Sequence, residues 1–271
     1  MSGLDEAALR RALAARGATL GLPLSVVAQT GSTSDDARRA AQAGAPQGAT
    51  FVADEQTSGR GRGGHRWYSP AGENLYLSVV LRPRIPPAAA ARITLVCGLV
   101  VAAVVEGALA AGGRVGRVGG AELGVGLKWP NDVLVEGKKI AGVLVEGQSR
   151  GEMLHSLVIG VGLNVGAREL PEEIAHRATS LAMLGVQASR EELAAELLAR
   201  LGEAVSRFEA EGLAVFGAEI GRRDWLQGRA IAVGEVAGVA SGIDAEGHLL
   251  VRSAEGTLQA VAAGEVSVRY R

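Results

Sequence analysis

Between Asp54 and Pro70 the chain reads Asp54-Glu-Gln-Thr-Ser-Gly-Arg-Gly-Arg-Gly-Gly-His-Arg-Trp-Tyr-Ser-Pro70, which places three arginines and four glycines inside residues 59–66. Glycines let a backbone approach a ligand closely, and guanidinium groups pair with phosphate oxygens. A nucleotide-phosphate site and a solvated, RNA-contacting loop both fit this segment. A P-loop does not, because Gly-x-x-x-x-Gly-Lys-Ser/Thr occurs nowhere in the sequence. A second segment, Gly126-Leu-Lys-Trp-Pro-Asn-Asp-Val-Leu-Val-Glu-Gly-Lys-Lys-Ile-Ala-Gly-Val-Leu-Val-Glu146, sets Asn131 and Asp132 in a turn prepared by Pro130. The strand that follows starts at Lys138-Lys139, so ammonium groups return toward that turn. A carboxylate and an ammonium held there make a structural ion pair or the poles of a reaction site. Two shorter segments are ambiguous in the same way. Helix capping alone explains the hydroxyl run Gly31-Ser-Thr-Ser-Asp35. A strand-end turn explains the single amide, Asn164, in Val158-Ile-Gly-Val-Gly-Leu-Asn-Val165.

The elements that must position these residues follow from periodicity. Residues 4–16 have helical spacing, with Gly17 as a stop. Ser34-Asp35-Asp36 can cap a helix over 37–43 that Gly44 ends. Residues 50–53 and 74–81 read as strands flanking the arginine–glycine segment. An apolar helix spans 90–111. Its run between Arg92 and Glu106 falls short of the roughly 20 apolar residues a membrane span needs, so it reads as a core helix. Cys97 lies within it as a small buried thiol. A Gly-rich linker comes next, then strands near 125–129, 133–136, 140–146 and 156–163. An amphipathic helix covers 190–211, with Glu191, Glu192 and Glu196 toward its positive end.

After residue 222 the character changes to short β-prone runs punctuated by glycine, such as Ala230-Ile-Ala-Val233, His248-Leu-Leu-Val251 and Val266-Ser-Val268. This divides the chain into 1–222 and a small all-β module, 223–271. So short a module buries little core alone and is expected to dock on the preceding domain.

The formal net charge of −1 removes any whole-molecule attraction for nucleic acid, so phosphate contacts must come from a local basic cluster. One cysteine excludes an internal disulfide. The histidines (65, 155, 176, 248) are scattered without ligand spacing, so no protein-bound metal is expected. The acidic start, Met-Ser-Gly-Leu-Asp-Glu, has no secretory pattern, which makes a cytoplasmic protein the expectation. Of nine aromatic residues, Trp67, Tyr68, Tyr76 and Trp129 fall in or beside the two chemistry-bearing segments, where they are expected to enclose a small ring-bearing ligand.

Taken together the segments resemble one family. Ser-Thr-Ser at 32–34, Gln56 with Gly59-Arg-Gly-Arg62, Trp67 before Ser69-Pro70, Asn74-Leu-Tyr76, Lys-Trp-Pro-Asn-Asp at 128–132, Lys139-Ile-Ala-Gly-Val-Leu and Gly162-Leu-Asn164 occur in the order found in biotin protein ligases. The similarity runs from about residue 25 to the end. It implies an α+β fold: a mixed-sheet catalytic domain of the class II synthetase-like biotin/lipoate ligase type, followed by a small SH3-like β-barrel. Ser241-Gly-Ile-Asp244 and Gly264-Glu-Val-Ser267 are the best matches to that barrel.

The resemblance also implies a reaction and its residues. Biotin and ATP, with Mg²⁺ on the phosphates, would give biotinyl-5′-AMP, and biotin would pass to a lysine of a biotin carboxyl carrier domain. Lys139, Arg62 and Asp132 carry the catalytic parts, with Asp132 orienting or deprotonating the incoming amine. Ser32, Thr33, Ser34, Gln56, Arg60, Gly61, Arg62, Lys139 and Gly142 bind biotin, and Arg62, Arg66, Lys128, Asn131 and Asn164 bind the nucleotide. Residues 59–67 are expected to close over the adenylate. Two positions depart from the family pattern, since Gly63 and His65 stand where many relatives carry arginine. Nucleotide contacts there fall to Arg66. Ser34 stands where asparagine is common. Only 30 residues precede Gly31, so a ligase without DNA-binding regulation is expected. A membrane partner is not, and a homodimer through an exposed sheet edge is compatible with the family.

Overall fold

The computed structural model describes residues 3–114, 117–118, 121–122, 124–150 and 153–268. The chain runs α1 (Glu6–Ala15), β1 (Leu24–Thr30), α2 (Thr33–Gln42), β2 (Thr50–Gln56), β3 (Leu75–Leu81) and α3 (Ile93–Ala111). A two-strand pair follows, β4 (Arg117–Val118) and β5 (Ala121–Glu122). Next come β6 (Val125–Lys128), β7 (Asp132–Val135), β8 (Lys138–Arg150) and β9 (Met153–Leu163). The Gly-rich linker expected before β6 lies partly outside the described residues. Helices α4 (Glu172–Ala175), α5 (Arg190–Glu211) and α6 (Gly217–Arg223) lead to β10 (Ala230–Val233), β11 (Val236–Ile243), β12 (Leu249–Arg252), β13 (Leu258–Val261) and β14 (Val266–Val268).

Seven strands form one mixed sheet in the order β1-β2-β3-β9-β8-β7-β6, parallel only between β1 and β2. Its two faces are covered differently because side chains alternate along each strand. On β3, Val79 and Leu81 join the main core with α1, α3 and α5, whereas Val80 packs with Ala37 and Ala41 of α2 on the other face. Helix α3 is apolar on every side and its buried residues include Ile93, Val96, Val101 and Val105, as expected of a helix enclosed by protein. By length and composition alone it could cross a membrane, but most of it is buried inside this fold. Burial pushes the Cys97 thiol up to about 12, which leaves it inert near neutral pH.

Helix α5 occupies the span expected for it. Ser189 caps it by accepting from the Glu192 amide, and its first residue, Arg190, is ion-paired to Asp54 of β2 at 2.7 Å with both side chains largely buried. Removing one partner of such a pair strands a buried charge, at about 3–5 kcal/mol. Asp54→Ala is therefore expected to lower the thermal midpoint by roughly 10 °C. Unchanged melting would show that the other contacts of Arg190 suffice.

The last five strands form an antiparallel sheet, β13-β12-β11-β10-β14, the SH3-like module. It docks on the larger domain as its size requires. Trp129 Nε1 donates to the Gly247 carbonyl at 3.0 Å, Arg92 pairs with Glu246, and Arg62 Nη1 donates to the Gly264 carbonyl at 2.6 Å.

Candidate active site

Helix α2 starts earlier than its sequence suggests, and the reason lies in the site. Ser34, Asp35 and Asp36 do not cap it; they form its first turn. The Thr33 amide, an orphan donor at the helix start, is satisfied from outside by Gln56 Oε1 of β2 at 2.9 Å. Thr33 Oγ1 reaches the same oxygen at 3.1 Å. The short hydroxyl side chains are thereby released from capping and turned toward the sheet.

Residues 56–69 form a hairpin over that sheet. Its rungs are Gln56 N–H to the Ser69 carbonyl (3.2 Å), Trp67 N–H to the Gly59 carbonyl (2.9 Å) and Gly61 N–H to the His65 carbonyl (2.7 Å). Gly59 permits the first crossing, since a Cβ there would lie 2.6 Å from both Ser69 Oγ and the Trp67 carbonyl oxygen. The hairpin lays the Trp67 indole on β8 and β9, where Gly142 and Gly162 are register partners and Gly160 follows two residues away. A Cβ at Gly162 would lie 2.5 Å from Trp67 Nε1, and one at Gly160 would lie 2.5 Å from Ser34 Oγ. These glycines make a floor that only hydrogen atoms cover.

Lys139 stands at the edge of that floor. Its ammonium pairs with Asp132 at 2.6 Å and lies 5.2 Å from the centre of the Trp67 ring, a cation–π arrangement. The two halves of the second chemistry-bearing segment thus meet, because β7 and β8 pair antiparallel with Asp132 opposite Gly142. Asn131 braces the turn by donating to the Val143 carbonyl at 3.0 Å. Lys138, the neighbouring residue, is exposed and makes no ion pair among the described residues. Lys128, Lys138 and Lys139 are the only lysines in the chain; apart from histidine, every other basic residue is arginine.

Thr33, Ser34, Gln56, Arg60, Gly61 and Arg62 line one cavity of about 40 Å³ together with Asn131, Lys139 and Gly142. A wider hollow of about 430 Å³ lies beside it, bounded by residues 58–66, Leu144 and Glu146, and Arg66 belongs to this one. Ser32, Lys128 and Asn164 line neither. Ser32 is buried with its hydroxyl unpartnered, and Lys128 sits opposite Asp132 in the β6–β7 register. Asn164 is enclosed, donating to the Thr179 carbonyl at 2.9 Å, an anchor for the end of β9.

All three hairpin arginines are engaged within the protein, Arg66 by donating to the Thr57 carbonyl at 2.9 Å. Arg60 makes a two-pronged pair with Glu146, at 2.5 and 2.9 Å, and a third contact with Asp35 at 2.8 Å. Burial opposes its charge, but these carboxylates outweigh burial and raise its pKa. Arg62 reaches the Gly264 carbonyl, so the small module touches the arginine-rich hairpin directly.

The expected aromatic enclosure needs correction. Trp67 alone of the four lines the cavity. Tyr68 points to solvent, Tyr76 is buried and donates to the Pro70 carbonyl at 2.9 Å, and Trp129 is committed to Gly247. Ser78 and Gly160 line the cavity without being singled out in the sequence reading, and Gly162 enters that reading only as part of the Gly162-Leu-Asn164 motif. The available signal was the alternation Gly160-Val-Gly162 within the otherwise large and apolar run 157–163.

A mixed sheet whose glycine floor carries a lysine–carboxylate pair under an arginine-rich hairpin, with a docked SH3-like module, defines a two-domain acyl-activating ligase. Residues 26–164 match the biotin/lipoate A/B protein ligase family and residues 229–269 match the biotin protein ligase C-terminal domain. The chain belongs to that family. It is 37% identical to the biotin–[acetyl-CoA-carboxylase] ligase of Mycobacterium tuberculosis, over 97% of this chain and 95% of that protein. It is 35% identical to the bifunctional ligase/repressor BirA of Escherichia coli, over 82% of this chain and 67% of that protein. The biotin protein ligase from Aquifex aeolicus, solved in complex with biotin and ATP, superposes with a TM-score of 0.75 at 31% identity. The match covers 91% of this chain and 98% of that one.

Proposed function

We propose that the chain joins the carboxylate of biotin to the α-phosphate of ATP, releasing pyrophosphate, and then transfers biotin from biotinyl-5′-AMP to a lysine of a carboxylase's biotin carboxyl carrier domain. One observation carries this reading: Lys139, paired with Asp132, lines the small cavity together with Arg60 and Arg62, which also border the wider hollow. A carboxylate attacking a phosphate brings two anions together, and a positioned ammonium lowers that repulsion. Thr33, Ser34 and Gln56 offer polar atoms for hydrogen bonds to the ureido ring, and Ser32 Oγ is a further buried hydroxyl beside them. Trp67 and the glycine floor suit the apolar rings and chain.

The enclosed cavity holds only a few water molecules. Entry of biotin therefore requires Trp67 and its hairpin to lift, and their return shields a mixed anhydride from water. Arg62 and Arg66 face the hollow that takes the triphosphate, and Asn131 lines the small cavity beside it. Among the described residues no three His, Cys, Asp or Glu side chains gather to hold a metal ion. Mg²⁺ enters as the MgATP complex, held by phosphate oxygens. The protein acts in the cytoplasm.

The test is to supply MgATP with either biotin or lipoate and to follow pyrophosphate release and labelling of a carrier domain. Biotin-dependent turnover is expected, and turnover with lipoate alone overturns the reading. Asp132→Asn separates the two steps. Transfer from preformed biotinyl-5′-AMP is expected to fall by about 10²-fold, the scale of a lost general base, and adenylation to fall less. Equal losses in both steps would assign Asp132 to holding Lys139 alone.

A further inference from the structure

Ser78 lies in the middle of β3, wholly buried, between strands that supply no other polar side chain at that level. Its hydroxyl is 2.8 Å from Thr33 Oγ1 and 3.1 Å from Ser34 Oγ. Gly160, its register partner on β9, leaves the space in which these three oxygens meet. Each hydroxyl has one proton, so the directions of these bonds can be deduced.

The deduction starts at Gln56. A backbone N–H can only donate, so the Thr33 amide fixes the facing atom of Gln56 as its carbonyl oxygen. That oxygen carries no proton, and Thr33 Oγ1 at 3.1 Å must donate to it. Thr33 then has no proton left for Ser78, which must donate to Thr33. Ser78 in turn has none left for Ser34, which must donate to Ser78. Beyond Gln56 the sense continues, with Nε2 donating to Ser69 Oγ at 2.9 Å and Ser69 donating to the Trp67 carbonyl at 3.1 Å. One directed chain runs from Ser34 through Ser78, Thr33, Gln56 and Ser69 to the hairpin. Hydrogen bonds aligned in this way polarise one another.

We infer that Ser78 is a specificity-determining positioning residue: it takes the proton of Ser34 and orients Thr33, whose own proton goes to Gln56, so that both hydroxyls have only lone pairs for a ligand. The start of α2 then accepts hydrogen bonds, and it selects a ring that presents N–H groups, a cyclic urea, over a ring with none. This rests on the reading that the ureido ring of biotin occupies that end of the cavity. Without Ser78 the Ser34 proton is free to turn toward the ligand, and Thr33 loses the partner that orients it.

Ser78→Ala keeps the strand and removes the relay. Expected are a rise of at least tenfold in KM for biotin, kcat at saturating biotin and KM for ATP within about twofold of the parent, and an unchanged thermal midpoint. A biotin analogue methylated on a ureido nitrogen should gain relative to biotin, so that discrimination narrows by a similar factor. Unchanged biotin KM overturns the inference, as does a parallel loss in kcat, ATP KM and melting. If the parent protein shows no biotin-dependent pyrophosphate exchange, the functional reading has failed instead, and the two failures are told apart before any variant is made.

Discussion

Lys139→Ala is expected to slow formation of the acyl-adenylate by about 10²–10³-fold, the range found when one positioned charge-stabilising donor is removed from an active site. Lys139 is the only lysine that lines the cavity, and the nearby arginines are held by Glu146, Asp35 and the Gly264 carbonyl. Removing it also leaves Asp132 as an uncompensated carboxylate where two anions must meet, so the variant loses an attraction and gains a repulsion. Lys139→Arg should recover little, because a planar guanidinium cannot occupy the place of a compact ammonium between Asp132 and the Trp67 face. Biotin-dependent exchange of pyrophosphate into ATP measures the step. A rate within tenfold of the parent for Lys139→Ala would remove this residue from the chemistry.

The second large effect is expected at a residue with no side chain. Gly162→Ala places a methyl group 2.5 Å from Trp67 Nε1, closer than atoms pack. The indole cannot yield cheaply, since its backbone is fixed by the Gly59 rung and Lys139 lies 5.2 Å from its ring centre. The ring must lift from the floor, carrying with it the wall against which the substrate packs. Displacements of about 1 Å at a reacting centre can cost about 10²-fold. Loss of that order in kcat/KM for biotin is expected, with the fold retained. Gly221→Ala, where a new Cβ meets nothing within 4 Å, serves as the silent control. If both variants behave alike, the glycine floor is not what holds the indole.

Much of this architecture is legible in the sequence because local signals agree with the global fold. The apolar stripe of α5 and the glutamates near its start predict the helix over 190–211, and the glycine-punctuated β-prone runs after residue 222 predict a β module. The start of α2 is different. Ser34-Asp35-Asp36 is a good capping sequence, yet the cap of Thr33 comes from Gln56, a residue distant in sequence that local pattern cannot identify. The lysine–carboxylate pair is visible because a tight turn brings residues 132 and 139 together. Ser78 is not, because a serine among leucines and valines shows its purpose only when Thr33 and Ser34 are seen to meet it. The aromatic residues mislead for a related reason. Their sequence neighbours are site residues, but the strand pleat turns Tyr76 inward and the docked module claims Trp129.

The scarcity of lysine has a consequence for the protein as a chemical reagent. An acyl phosphate anhydride labels any unprotonated amine it meets, and a maker of such an anhydride is the surface most exposed to what escapes. Arginine stays protonated to a pH beyond 12 and is a poor nucleophile, so a surface whose cations are guanidiniums resists acylation while keeping its charge. In this chain Lys139 is neutralised by Asp132 and Lys128 is half-buried, which leaves Lys138 in the β7–β8 turn as the one openly exposed lysine amine. Leaked intermediate is thereby left to water and to the acceptor domain far more than to the enzyme that made it.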